Sequence, residues 1–291
     1  MSRILVTGAS GFIGKYLCQE LNERGHEINA LFSIHGDISD AHTLDSFNGK
    51  VDKVIHLAAS TFVPDSWQNP DEFFKVNALG TMRVLEFCRN NNSSLIFISA
   101  YLYGIPDKVP TSEMELPKPN NPYAFSKYIA EQACLFYSSY LNVPSLIIRP
   151  FNVYGPGQPA HFLIPTIINQ VLYNQEITLL DLNPKRDYIF IDDVVNFINN
   201  AVDAKLKNAE IVNIGSGVSY SVGELVRIIQ KIAGTNLPVF SKNEVRFQEI
   251  SDVIADVNKA DTFFGWKPKT SIEIGLEQCV WYSKLKLSNE N

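Results

Sequence analysis

Short apolar runs alternate, through the first half of the chain, with longer stretches whose apolar positions recur at helical spacing. The runs Ile4–Val6, Ile28–Phe32, Lys53–Leu57, Leu95–Ser99 and Leu146–Arg149 predict strands, and Phe12–Arg24, Asp71–Arg89 and Pro122–Leu141 predict helices. The last helix has a clear start, because Asn121 can cap it and Pro122 suits its first helical position. Alternating strands and helices predict an α/β fold, a Rossmann-type doubly wound parallel sheet covered on both faces. From Asn152 onward the alternation becomes irregular and richer in Pro and Gly. That change predicts a smaller α/β C-terminal part built at the carboxyl ends of the strands. The expected division is a sheet domain over 1–151, with 186–214 returning to it, and a second part over 152–185 and 215–291.

The first strand runs directly into Gly8-Ala9-Ser10-Gly11-Phe12-Ile13-Gly14, which opens the first helix. A strand, a tight glycine turn and a helix make the arrangement a dinucleotide pyrophosphate requires. Gly8 permits the turn, Gly11 admits phosphate to the backbone, and Gly14 lets helix and sheet pack closely. A glycine-rich turn without a ligand is the plain alternative; the position between a clear strand and helix favours the cofactor.

Far downstream, Tyr123 and Lys127 stand four residues apart, so one face of a helix carries both near its N-terminus. A free phenol titrates near ~10 and is a poor base at neutral pH, but a nearby ammonium and a positive nicotinamide stabilise the phenolate. Such a phenol can exchange a proton with a substrate oxygen while the nicotinamide exchanges hydride. The spacing alone also fits a surface tyrosine beside a lysine.

Composition narrows the partners. The chain has 291 residues, 45% of them hydrophobic, enough to bury a large core. A net charge of -6 without basic runs argues against nucleic acid. The cysteines Cys18, Cys88, Cys134 and Cys279 are too scattered to form a metal or disulfide pattern. With no leader-like segment and no long apolar span, no membrane role is expected and the cytoplasm is the expected compartment.

Further segments extend the pattern: Gly36-Asp37-Ile38, His56-Leu57-Ala58-Ala59, Val76-Asn77-Ala78-Leu79-Gly80-Thr81, Arg149-Pro150-Phe151-Asn152-Val153-Tyr154-Gly155-Pro156-Gly157, Arg186-Asp187-Tyr188 and Asn213-Ile214-Gly215-Ser216-Gly217. With the glycine run and the Tyr123/Lys127 pair, they closely resemble the extended short-chain dehydrogenase/reductases, in the branch of nucleotide-sugar epimerases, dehydratases and reductases. The resemblance implies that Ser99, Tyr123 and Lys127 are catalytic. It implies a cofactor site of Gly8, Ser10, Gly11, Phe12, Ile13, Gly14, Phe32, Ser33, Asp37, Ile38, Leu57, Ala58, Ala59 and Asn77, with Tyr123 and Lys127 also touching the dinucleotide. Ser99, Asn152 and Arg186 would meet a nucleotide-diphosphate sugar, Arg186 as a clamp on its diphosphate. An ion pair of Arg186 with Asp187 or Asp192 is the alternative. A homodimer through the two helices 71–89 and 122–141 is also implied, and no metal.

Two departures narrow the reaction. NAD-using members carry an acid at the end of the second strand, where this chain has Phe32 and Ser33; Asp37, brought close by a shortened connection, is a possible substitute. This favours NADP, with NAD as the alternative. The dehydratases place Asp-Glu after the catalytic serine or threonine, and this chain has Ala100 and Tyr101. Epimerase-reductases acting at C3 and C5 use a cysteine two residues past the serine and a histidine before an Ile-Pro step; Tyr101 and an out-of-register His161 disfavour that chemistry. What remains is a 4-ketoreductase of nucleotide-linked 4-keto-6-deoxyhexoses, similar to the GDP-4-keto-6-deoxymannose reductases, or a 4-epimerase; a nonenzymatic dinucleotide sensor is the reading from another class.

Overall fold

The computed structural model describes residues 2–47, 49, 51–244 and 249–290. Strands β1 (Arg3–Thr7), β2 (Glu27–Leu31), β3 (Lys53–His56), β4 (Ser94–Ile98) and β5 (Ser145–Pro150) fall within a residue or two of the predicted apolar runs. Helix α1 (Phe12–Glu23) follows the glycine turn and buries Gly14, Leu17 and Leu21 on one face. Beyond β3 come α2 (Val63–Gln68), α3 (Pro70–Phe73), a π-helical stretch over Phe74–Leu79, and α4 (Gly80–Asn91). The helix expected over Asp71–Arg89 is therefore interrupted: the wider turn swings Val76-Asn77-Ala78 out of α-helical register and buries Asn77 and Ala78. Helix α5 (Pro122–Tyr140) has the expected cap, with the Ala124 amide donating to Asn121 Oδ1 at 2.8 Å.

The second half contributes β6 (Asn152–Tyr154), α6 (Leu163–Tyr173), β7 (Ile177–Leu179), β8 (Lys185–Phe190), α7 (Ile191–Val202) and β9 (Glu210–Ile214). They are followed by β10 (Ser219–Ser221), α8 (Val222–Ala233), β11 (Val239–Ser241), α9 (Asn258–Phe264) and α10 (Ile272–Glu290). The main sheet has the order β2-β1-β3-β4-β5-β9, every pairing parallel. Side chains alternate across it: Ile4 and Val6 join a core that reaches Ile148, Ile167, Phe197 and Trp266, whereas Leu5 faces Leu31, Val54, Val84 and Ala130. β1, β4 and β5 are buried on both faces, which is why Ile4–Val6, Leu95–Ile98 and Leu146–Ile148 read as unbroken apolar runs.

β2 is an edge strand, followed by one tight turn (Ser33–His35) where a crossover helix and third strand would usually stand. The chain crosses from β2 back over β1 to β3, so the switch in strand order lies between β1 and β3, directly above the glycine turn.

At Phe151 the chain leaves the main sheet for a three-stranded one, β10-β8-β6. Within the segment 186–214, β8 pairs with β6 and β10 rather than with the main sheet; only from Ile191 does the chain rejoin it, α7 packing on α1 and β9 adding to the β5 edge. The turn from β8 into α7 is immediate, so one continuous segment belongs to both parts. No described helix is long and apolar enough to cross a membrane, and no group of metal-ligating side chains occurs among the described residues.

Candidate active site

The glycine turn is shaped by close backbone approach. Gly8 has φ +69°, and a Cβ there would lie 2.6 Å from the Ala58 nitrogen. A Cβ on Gly14 would collide with the Gly8 carbonyl oxygen, so helix α1 can sit this close only with glycine there. Gly11 is the N-cap of α1 and offers no side-chain acceptor, leaving the amides of the first turn for an anion. Ser10 is exposed on that turn; Phe12 and Ile13 follow it, with Phe12 packed edge-on against Tyr16.

At the adenosine end, the Phe32 amide donates to His35 Nδ1 at 3.2 Å and Ser33 starts the exposed turn. Asp37 is fully engaged. Its Oδ2 pairs with Lys75 Nζ at 2.6 Å, and Oδ1 accepts from the Ser39 amide and hydroxyl at 2.9 and 2.8 Å. The Lys75 ammonium and the Ser39 donors hold the Asp37 carboxyl down at about 2. Ile38 is buried with its side chain against Gly80. Leu57, Ala58 and Ala59 continue β3 beneath the glycine turn, the Leu57 amide donating to the Thr7 carbonyl at 3.2 Å.

Ser99 directly follows β4, its amide donating to the Ile148 carbonyl at 2.8 Å. Its hydroxyl is buried and has no hydrogen-bond partner in the protein. A buried orphan hydroxyl costs roughly 1–3 kcal/mol, a cost that a ligand oxygen would remove. Helix α5 aims Tyr123 and Lys127 from its first two turns. Lys127 is buried, donates to the Ile98 carbonyl at 2.5 Å, and lies 4.3 Å from the centre of the Phe97 ring. Burial pulls its ammonium down to about 8 and pushes the Tyr123 phenol well above its ordinary range. Tyr123 is thus a proton donor until a ligand changes its surroundings. The stripe α5 buries, Ala124, Lys127, Glu131, Cys134 and Ser138, is unusually polar for a helix face in a core.

The polar stripe has a reason further down. Arg149, at the end of β5, makes a bidentate pair with Glu131 at 2.9 and 2.6 Å and donates to the Tyr103 hydroxyl at 2.8 Å. Tyr103 in turn donates to Asn213 Oδ1 at 2.7 Å. Both ions are almost wholly excluded from solvent, so the helix bearing Tyr123 and Lys127 is pinned to β5 and β9. Sequence reasoning did not find this pair, nor Lys75 beside Asp37, because nothing in residue type or spacing joins positions 18 or 38 residues apart.

Asn77, expected beside the cofactor, spends its amide on the protein. It accepts from the Ser60 amide at 2.9 Å and donates to the Ser60 carbonyl at 3.0 Å and Ser126 Oγ at 2.9 Å. Asn152 donates to the Asp187 carbonyl at 3.0 Å. Arg186 forms neither of its expected ion pairs. Its acid partner is Glu249, and it also donates to the carbonyls of Lys185 and Ile250 at 2.7 and 2.6 Å. Asp187 is unavailable because its carboxylate accepts from Ser216, Gly217 and Ala255. These bonds use three of the five N–H groups of Arg186. Tyr101 donates to the Gly104 carbonyl at 2.7 Å and packs against Tyr103 and Phe151, so no acid stands beyond Ser99.

Residues 4–215 match the model of the NAD dependent epimerase/dehydratase family. The chain belongs to that family. The chain is similar to a GDP-6-deoxy-D-talose 4-dehydrogenase of Aggregatibacter actinomycetemcomitans, 33% identical over 98% of this chain and 99% of that one. A putative UDP-glucose 4-epimerase of Methanocaldococcus jannaschii is 32% identical over 97% of this chain and 98% of that one. Among solved structures, RMD from Pseudomonas aeruginosa, complexed with NADPH, superposes with a TM-score of 0.90 at 28% identity, covering 98% of this chain and all of the other. For this member of the family, the glycine cradle, the open α1 terminus and the orphan Ser99 hydroxyl all fit a nicotinamide dinucleotide and a substrate oxygen.

Proposed function

We propose that this protein reduces the 4-keto group of a nucleotide-diphosphate 4-keto-6-deoxyhexose, giving an activated deoxysugar. The observation that carries this reading is the set of groups at the reacting end. A serine with a buried, unpartnered hydroxyl, a protonated phenol and a lysine are present, and the two positions past the serine, Ala100 and Tyr101, supply no acid to eliminate water. A nicotinamide dinucleotide held on the glycine cradle would supply the hydride for this reduction. Ser99 Oγ–H donates to the ketone oxygen, Tyr123 releases its proton to that oxygen, and the Lys127 ammonium stabilises the phenolate left behind. The relative whose name describes a 4-dehydrogenase acting on a GDP-6-deoxyhexose supports the same position and sugar class.

The adenosine end supports NADP over NAD. No carboxylate ends β2, and the charge of Asp37 is already matched by Lys75, so a 2′-phosphate meets a cation and a hydroxyl rather than a free acid. Asn152 and Arg186 are our choices for the sugar nucleotide, Arg186 through its two remaining N–H groups or by exchanging Glu249 for phosphate. The exposed Phe125, Phe136 and Tyr140 on α5 and Met82 on α4 favour a homodimer through this helix pair, and a monomeric mass by light scattering would refute it. Similarity to a putative UDP-glucose 4-epimerase sustains the second reading, a 4-epimerase that returns its hydride. Purified protein separates the two: stoichiometric NADPH oxidation by a 4-keto-6-deoxyhexose nucleotide marks the reductase, while interconversion of UDP-glucose and UDP-galactose with no net oxidation marks the epimerase.

A further inference from the structure

Beneath the glycine turn, four buried residues share one run of hydrogen bonds: Thr7, His56, Thr81 and Asn77. Thr7 Oγ1 lies 2.6 Å from His56 Nδ1, and His56 Nε2 lies 3.1 Å from Thr81 Oγ1. The Thr81 hydroxyl is 2.6 Å from the Asn77 carbonyl, and the Ala58 amide donates to Thr7 Oγ1 at 3.3 Å.

The protons in this run have one consistent arrangement. A carbonyl cannot donate, so Thr81 gives its only proton to Asn77 and must accept from His56 Nε2–H. An amide cannot accept, so Thr7 accepts from Ala58 and gives its proton to His56 Nδ1. The opposite tautomer would make Thr7 Oγ1 accept from both Ala58 and Nδ1–H, leaving the Thr7 proton without an acceptor in this run, and would leave Nε2 facing Thr81, whose proton is already given to Asn77. An imidazolium would likewise leave the Thr7 proton without an acceptor in this run. Phe97 stacks on the His56 ring with centroids 5.7 Å apart and also carries the Lys127 ammonium, which further disfavours a second positive charge. Burial and Lys127 together push the imidazole down to about 3.

We propose that His56, fixed as the neutral Nε2–H imidazole, is a positioning residue that locks the backbone at Ala58 to the π-helical turn carrying Asn77. Asn77 then holds Ser60 and Ser126, and the Ser126 hydroxyl donates to the Tyr123 carbonyl at 2.7 Å. One run of bonds thereby joins the floor under the glycine turn to the helix that presents Tyr123 and Lys127. The proposal rests on the reading that this floor holds a dinucleotide. His56 touches neither cofactor nor substrate in this role; it acts through Ala58 and Asn77.

Two measurements test it. In the full chain labelled with 15N-histidine, the His56 ring, assigned through its contact with Phe97, should show an unprotonated Nδ1 and a protonated Nε2. A protonated Nδ1 overturns the proposal. Separately, Thr7→Val removes the donor to His56 and the acceptor of Ala58 with little change in shape. One lost buried partner predicts NADPH binding, followed by nucleotide fluorescence, weaker by roughly 5- to 150-fold in a folded protein. Thr7→Ser should restore it. A folded Thr7→Val protein with unchanged NADPH affinity overturns the positioning role. Unaltered protein that binds neither NADPH nor NADH refutes the underlying dinucleotide reading and the positioning role with it, while the tautomer is still decided by the NMR experiment.

Discussion

Replacing Arg149 by methionine strands a carboxylate in the protein's interior. Glu131 has no solvent exposure and receives two bonds from the guanidinium, at 2.9 and 2.6 Å; Tyr103 loses a third, at 2.8 Å. Breaking a buried pair from one side costs about 3–5 kcal/mol, because the remaining charge keeps its desolvation penalty and loses its compensation. Removing both ions is different: Glu131→Leu with Arg149→Met exchanges two desolvated charges for apolar packing, which is often neutral. Each single variant should therefore be less stable than the double. At roughly 2–4 °C per kcal/mol for a chain of this size, Arg149→Met should lower the Tm by about 6–20 °C. Urea denaturation of all four proteins in a double-mutant cycle gives the coupling. Additive single effects, or a loss under about 1 kcal/mol in Arg149→Met, would refute the reasoning that this pair pins helix α5.

Other perturbations act elsewhere in the site. Tyr123→Phe should bind NADPH normally and lose turnover by at least roughly a hundredfold, the usual worth of a general acid; single-turnover reduction measures it, and full activity would remove Tyr123 from the chemistry. Gly8→Ala should abolish dinucleotide binding, since the added methyl needs a left-handed backbone and meets the Ala58 nitrogen at 2.6 Å; isothermal titration showing wild-type affinity would contradict the cradle. Because His56 is neutral when folded and titrates near 6.5 when unfolded, its contribution to stability is complete above the unfolded value and is lost as pH falls toward about 3. Between pH 7 and pH 5 the stability from urea unfolding should drop by about 2 kcal/mol from this group, and His56→Gln should flatten that slope. Lys127 is held at about 8, so proton transfer that needs its ammonium should decline above that pH; the kcat/KM profile checks this, and a limb near pH 10 would contradict it.

Most of the scaffold was readable from local signals. β1 and β5 are buried on both faces, so Ile4–Val6 and Leu146–Ile148 are apolar throughout, and the Asn121-Pro122 start marks α5 because cap and ring geometry are local properties. The π-helical stretch was not readable. It is imposed by where Asn77 must reach, to Ser60 and Ser126, rather than by the propensities of Phe74–Leu79. The strand over Lys185–Phe190 likewise follows from partners at 152–154 and 219–221, which no periodicity within the segment records.

In the site, the division is the same. Gly8 and Gly14 share one turn and Tyr123 and Lys127 one helix face, which were legible because turn and helix geometry connect such positions over a few residues; Ser99, 24 residues before Tyr123, entered only through the family resemblance. Asp37 was visible but its neutralisation by Lys75 was not, and the acid partner of Arg186 proved to be Glu249, 63 residues away. His56 stood inside a quoted motif without an assigned role, since its meaning depends on hydroxyls contributed by β1 and α4.

The reductase reading is tested most directly by mixing purified protein with NADPH, and in parallel NADH, and GDP-, CDP- or dTDP-linked 4-keto-6-deoxyhexose while following nicotinamide absorbance. One of these substrates should consume NADPH mole for mole and yield the 4-hydroxy sugar nucleotide. No consumption of either cofactor with any of them, together with NAD that stays bound through purification, would contradict the reductase and favour the epimerase.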